Sequence, residues 1–338
     1  MKILSVITST DPKHGGPPEV LKNQVEFINR NKKKIYILST SRIKISYFFG
    51  YYFNFSKRKK IKNFINQFDI VHFHEAWNIK NIFIAKICEK LMCKYLFVGH
   101  GYFDKWSLKQ NFFKKFFFHQ LFLKKVLDKS SAMFFSSKEE CLEARNFYNF
   151  KNVFIIPNGI NTKVFKNSNK GKKNKIVFFG RIHRKKGVEN LIYAVSELKN
   201  DLLDKYYFEI CGPGEKKYIN KIENLIKKYD LKDKLILKNF VSRENKIKYL
   251  SDSKIFILPS YQEGDSIALK EALSLSIPVI VSKQCRMKIV QEYNCGLEIE
   301  NNVEKLKRAI LDIIEMDLEK MGKNARDLII KKYENEDC

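Results

Sequence analysis

Short apolar runs alternate with helix-length stretches from one end of the chain to the other, and this rhythm limits the fold more than any other feature. Before residue 166 the runs are Ile3–Thr8, Lys34–Ser39, Asp69–His74, Tyr95–Gly99, Ala132–Ser136 and Val153–Ile156. After it they are Ile176–Gly180, Tyr207–Cys211, Lys234–Asn239, Lys254–Leu258, Ile277–Val281 and Leu297–Glu300. Helical patterns such as Val188–Lys199, Tyr218–Tyr229, Arg243–Leu250 and Glu304–Glu315 lie between them. Strands alternating with helices predict an α/β chain with parallel sheets covered on both faces.

A Lys/Asn-rich bridge, residues 166–175, divides the alternation into two doubly wound halves, 1–165 and 166–338. With 338 residues and 44% hydrophobic side chains, there is material for two cores. Such folds hold ligands at the carboxyl edge of the sheet, so two facing edges predict a cleft.

The net charge of +27 would ordinarily suggest nucleic acid or an anionic surface. Only ten of the 64 basic residues are Arg, the side chain that base readout and bidentate phosphate clamps favour. No nucleic-acid-binding signature accompanies the charge, so nucleic acid is not an expected partner. Seven scattered Cys without a C-x-x-C pair argue for reduced thiols, against disulfides or a zinc site. The opening residues read as a first strand and not a signal peptide, and no apolar run reaches membrane-spanning length. The expectation is a cytoplasmic or peripheral protein.

Nearly every informative residue falls just after a strand. Leu258 to Val281 holds two carboxylates, Glu263 in a loop and Glu271 one or two turns into a helix, followed by another strand. Carboxylates accept from sugar hydroxyls, and the first helical turn, at Ser266–Ile267, offers backbone N–H groups to phosphate. A surface loop and an ordinary amphipathic helix would also explain the two Glu. Arg181, after a strand, and Lys186, before the next helix, can converge on a diphosphate as a fork and a point charge. Gly212-Pro213-Gly214 and Gly15-Gly16 let backbone approach the same ligand, although each alone reads equally as a turn. His72 and His74 share a strand face; packing of His74 near the cleft explains it better than a metal site. His100, between two glycines at a strand end, suits hydrogen bonding to a sugar or a proton relay.

Together these pieces resemble the retaining GT-B glycosyltransferases of family 4. The resemblance rests on V-H-F-H at 71–74, His100-Gly101, Pro157-Asn158-Gly159-Ile160, F-F-G-R-x4-K-G at 178–187, G-x-G at 212–214 and E-x7-E at 263–271. The run from Gly99 to Gln110 is similar to a segment of enzymes that build bacterial surface polysaccharides. The resemblance implies two Rossmann-like domains, the first binding the acceptor and the second the nucleotide-sugar donor. Glu271 would hold the ribose, Glu263 the sugar hydroxyls, and Arg181 and Lys186 the diphosphate. Backbone at Gly15, Gly16, Ser266 and Ile267 would line the phosphates, and His100 would touch the donor sugar. No metal or other cofactor is implied. Retention would proceed by front-face attack, the departing diphosphate helping to take the acceptor's proton.

Two departures from the family pattern stand out. Asp265-Ser266 follows Gly264, and an anionic Asp265 beside a diphosphate is expected to cap the helix. The chain also ends soon after Tyr333, which leaves little for a helix crossing back to the first domain.

Asn111–Leu127 bears on the acceptor. On a regular helical wheel Phe112, Phe113, Phe116, Leu123 and Leu127 form one apolar face, expected to bury. Lys114, Lys115, Lys124 and Lys125 lie opposite, with Phe117, Phe118, Leu121 and Phe122 beside them. Such a face fits an anionic bilayer, or a buried helix whose Lys stems reach out to water. Arg42–Lys60, with seven aromatics among basic residues, points the same way. The reading is a transferase moving a hexose-type sugar from a nucleotide diphosphate to a saccharide acceptor, lipid-linked or not, in surface polysaccharide synthesis. Alternatives are a nucleotide-sugar epimerase, a transferase to a soluble acceptor, and a non-catalytic basic protein that binds membrane or nucleic acid.

Overall fold

The computed structural model describes residues 1–11, 16–30, 34–40, 50–52, 58–165 and 173–334. The chain forms two compact units that part between Asn158 and Gly159. Residues 159–165 join the second unit because its last helix, Leu318–Tyr333, holds them. Ile160 N donates to Tyr333 O at 2.8 Å, and Arg326 Nη1 donates to Phe165 O at 2.7 Å.

The first unit is one parallel sheet of β1 (Lys2–Ile7), β2 (Lys34–Ser39), β3 (Gly50–Tyr52), β4 (Ile70–Phe73), β5 (Lys94–Val98), β6 (Ala132–Phe135) and β7 (Val153–Ile155). Its order is β3-β2-β1-β4-β5-β6-β7. In β1, Ile3, Leu4, Val6 and Ile7 are all buried, which accounts for an apolar run without alternation. β3 lies inside the segment read only as basic and aromatic; residues 42–49 and 53–57 of that segment lie outside the described ones.

The second unit's sheet comprises β8 (Lys175–Phe179), β9 (Tyr207–Cys211), β10 (Leu235–Lys238), β11 (Ile255–Leu258), β12 (Val279–Ser282) and β13 (Gly296–Ile299). The order is β10-β9-β8-β11-β12-β13, every pairing parallel. β12 starts two residues later than its apolar run, after Pro278, which has no N–H to give the ladder; Pro278 O still accepts from Phe256 N at 2.9 Å. Helix Val303–Ile314, capped by Asn302, buries Leu306, Ala309, Ile310 and Ile313, a stripe with the 3.6-residue period.

The segment from Asn111 departs from expectation. It folds as an α-helix over Phe112–Phe118, a π-helical turn over His119–Leu123 and an α-helix over Lys124–Lys129. The wide turn absorbs one extra residue and shifts the phase of the second helix against the first by roughly 100°. Leu123, Val126 and Leu127 are buried as the apolar pattern requires. Phe112, Phe113 and Phe116 rotate out instead, 51%, 75% and 43% exposed. The single apolar face of the regular wheel does not exist. Phe118 packs against the first core, whereas Phe117, Leu121 and Phe122 are exposed beside Lys114, Lys124 and Lys125. Lys115 folds back, donating to Ser107 O at 2.6 Å with its ammonium 5.4 Å from the Trp77 ring centre.

Candidate functional site

Strand order locates the places where a ligand fits. In the second sheet the chain runs outward from β8 to β9 and β10, and the other way from β11 to β12 and β13. The loops after β8 and β11 therefore diverge at the carboxyl edge and leave a crevice between them. Lys186 bridges it, its Nζ donating to Glu263 Oε1 at 2.6 Å. Ser260 Oγ donates to the same oxygen at 2.5 Å, and the Glu263 backbone is fixed by Gln284 O and Arg286 Nη1, each at 3.0 Å. Burial alone would raise the Glu263 pKa; the ammonium groups of Lys186 and Lys185, with the Lys186 and Ser260 hydrogen bonds, hold it below the usual carboxylate range.

Two glycines shape this edge. Gly187 is left-handed, with φ of 65°, and a Cβ there would lie 1.9 Å from Pro259 O. Its loop can meet the Pro259 loop only without a side chain. Gly212, with φ of 149°, lies as tightly against Gly180 O, and Ile182 N donates to Pro213 O at 2.7 Å. The Gly212–Gly214 loop is thus laid along the Arg181 loop. Arg181 is half-buried, and among the described residues its guanidinium has no ion pair or hydrogen bond.

Helix Ile267–Ser274 comes next, with its N-terminus at the same edge. Its cap is Ser266, whose hydroxyl accepts from Leu269 N. Asp265 is not the cap, contrary to expectation. Its carboxylate takes the ammonium of Lys270 at 2.6 Å, and Lys270, fully buried, lies 3.9 Å from the Tyr333 ring centre on the last helix. A local countercharge and a cation–π contact remove the charge conflict that capping was meant to solve. Glu271 is buried and accepts from Lys246 Nζ at 2.5 Å. Lys246, on helix Arg243–Ser251, is a residue of this edge that sequence reasoning missed; one Lys on a Lys-rich chain carries no signal.

The first unit has its own switch point, between β1 and β4. Thr8 after β1 hydrogen-bonds Glu75 after β4, and Asn78 Nδ2 donates to Thr8 Oγ1 at 2.8 Å. Gly16 opens helix Gly16–Arg30, and a Cβ there would meet nothing within 4 Å; Gly15 lies outside the described residues. His74 is fully buried, its Nδ1 3.0 Å from His100 Nε2. Burial lowers both pKa values, that of His100 to about 4. His72 turns to Phe134 and falls to about 4 through burial. Among the described residues no group of three or more His, Cys, Asp or Glu is placed to hold a metal ion.

His100 is held in a left-handed turn, φ 45°, by a residue that sequence reasoning missed. The buried Glu140 carboxylate accepts from Gly101 N at 2.6 Å and from Ser136 N and Oγ at 2.8 and 2.5 Å. Gly99 leaves room for it, since a Cβ there would lie 2.7 Å from Glu140 Oε1.

Two parallel sheets, each with a polar switch point at its carboxyl edge, make two Rossmann-like units, and comparison with known proteins gives their family. The description "Glycosyltransferase Family 4" matches residues 6–164 and "Glycosyl transferases group 1" matches residues 160–328. The chain belongs to the group 1 (family 4) glycosyltransferases, with the GT-B fold. An uncharacterized glycosyltransferase of Methanocaldococcus jannaschii is 30% identical over 201 residues, 56% of this chain and 50% of that protein. The chain thus spans half the length of that relative. The UDP-Gal:alpha-D-GlcNAc-diphosphoundecaprenol alpha-1,3-galactosyltransferase of Escherichia coli is 26% identical over 79% of this chain and 72% of its own length. Among solved structures, HepE of Anabaena in complex with UDP-glucose superposes with a TM-score of 0.83 at 15% identity, covering 100% of this chain and 96% of that one. At that identity the likeness is one of fold.

Proposed function

We propose that this chain is a retaining glycosyltransferase that takes a hexose-type sugar from a nucleoside diphosphate and passes it to a saccharide in surface polysaccharide synthesis. The observation that carries the reading is the convergence of Lys186, Glu263, Glu271 and a helix N-terminus at the switch point of the second sheet. Glu271 takes the ribose hydroxyls and Glu263 those of the sugar. Lys186 and Arg181 face the diphosphate, with backbone at Gly212, Gly214, Ser266 and Ile267. Cations fixed where a leaving diphosphate gathers charge supply the main catalytic effect, so neither a metal ion nor another cofactor is required. His100 contacts the donor sugar. The E. coli and Anabaena proteins, named for UDP-galactose and solved with UDP-glucose, support a nucleotide-sugar donor.

The test is a thermal-shift panel of UDP, GDP, ADP and their sugar conjugates without added metal. At 100 times its dissociation constant a ligand adds about 2.7 kcal/mol, a rise of several degrees. One nucleotide should shift the wild type and fail to shift Glu271→Ala. A panel without any shift would remove the donor site.

The acceptor is proposed to be lipid-linked and met at an anionic bilayer surface. Six exposed apolar side chains, Phe112, Phe113, Phe116, Phe117, Leu121 and Phe122, are interspersed with exposed Lys114, Lys124 and Lys125. Aromatic side chains enter the headgroup layer while lysines meet its charge. Among the described residues no helix is long and apolar enough to cross a membrane. Cosedimentation with phosphatidylglycerol vesicles at low salt, and none with phosphatidylcholine vesicles, is the expected result.

A further inference from the structure

His74 and His100 share one proton between them, and the structure bears on which ring carries it. Their rings stack with centroids 5.3 Å apart and 23° between planes, and Nδ1 of His74 lies 3.0 Å from Nε2 of His100. One of these nitrogens must donate and the other accept. His74 Nε2 is buried and has no hydrogen-bond partner among the described residues. Were His100 the donor, His74 would carry its proton on Nε2 and bury an N–H with nothing to receive it. Were His74 the donor, Nε2 would bury only a lone pair. Orphaned buried N–H groups are rarer in folded proteins than unfilled acceptors.

We infer that His74 is a positioning residue that fixes the tautomer of His100, leaving the His100 ring proton on Nδ1 so that His100 meets its ligand as a hydrogen-bond donor and not as a base. The inference rests on the proposed contact between His100 and the donor sugar. The backbone reinforces it: Glu140 holds the His100 loop at Gly101 N and ties it to the loop after β6 at Ser136 N, and His74 N donates to Val6 O at 3.0 Å, so neither ring is carried by a free segment. Burial disfavours the doubly protonated form of each ring, which keeps a single shared proton at neutral pH.

The test has two arms. In the wild-type protein labelled with ring-15N histidine, two-bond proton–nitrogen correlations at neutral pH should show Nε2 bare on both His74 and His100. A protonated Nε2 on His100 overturns the inference. The second arm uses whichever nucleotide sugar the thermal-shift panel selects and measures its turnover. His74→Asn places an N–H near the Nδ1 position and should keep kcat within about threefold, while His74→Leu should lower kcat about tenfold with KM unchanged. Equal loss in both variants also overturns the inference. Full activity in His100→Leu would instead overturn the underlying contact with the donor sugar, which keeps the two failures distinct.

Discussion

The two switch points are built from opposite materials. In the second unit the edge is ionic: Lys186 with Glu263, Lys246 with Glu271, and Lys270 with Asp265, all at 2.5–2.6 Å and largely buried. In the first unit the polar groups around His100 are histidines held neutral by burial and a carboxylate, Glu140, spent on backbone N–H groups. A charge-dense ligand needs countercharges that are already in place, and desolvated pairs provide them without reorganisation. A neutral sugar needs donors and acceptors of fixed direction. The difference matches the ligand that each edge is proposed to hold.

The comparison breaks most readily at the ion pairs. Lys270→Met removes a buried ammonium from the Asp265 carboxylate and from the face of Tyr333 and should cost about 3–5 kcal/mol, read as an early thermal transition of the second unit. If the variant melts with the wild type, the edge is not held by charge. Glu271→Ala should weaken nucleotide binding by about 1.5–3 kcal/mol, roughly tenfold to a hundredfold, measured by calorimetry. The same substitution should leave vesicle binding unchanged. Conversely, Phe113→Ser with Phe117→Ser should reduce vesicle binding about tenfold while shifting stability by no more than about 0.5 kcal/mol, since both rings are exposed.

The smallest effect separates the units by pH. A histidine whose pKa is lowered by folding takes up its proton more readily when unfolded. Stability therefore declines as pH falls below 6.5 and stops declining below the folded value, about 4 for His72 and His100. Each proton contributes at most about 1.4 kcal/mol per pH unit. Glu263 behaves differently: its pKa is lowered, so its contribution is intact above 4.5 and is lost only as pH falls through the depressed value. His72, His74, His100 and His119 lie in the first unit against His183 in the second, so hydrogen exchange at pH 5 should loosen the first unit sooner.

The features legible in the sequence are those that obey local rules. Strands were plain because buried parallel strands are continuous apolar runs, as in β11, where all four residues are buried. Glu263, Glu271 and Lys186 stood out because they fall just after strands or at the first turns of helices. Lys246 and Lys270 did not, because their importance comes from a partner brought near by folding and nothing marks them among so many lysines. The π-helical turn was invisible for a related reason. Spacing arithmetic assumes a constant period, and the residue that breaks it has no chemical signature.

That turn also has a genetic meaning. The wide turn already absorbs the extra residue, so a regular helix with exposed Gln120 deleted would keep Phe116 and Leu127 in the same angular relation, ten ordinary steps apart. The displayed phenylalanines and the buried Leu123, Val126 and Leu127 are therefore compatible with two chain lengths. A single codon can be lost at this turn while the outer face and the hidden face both stay as they are.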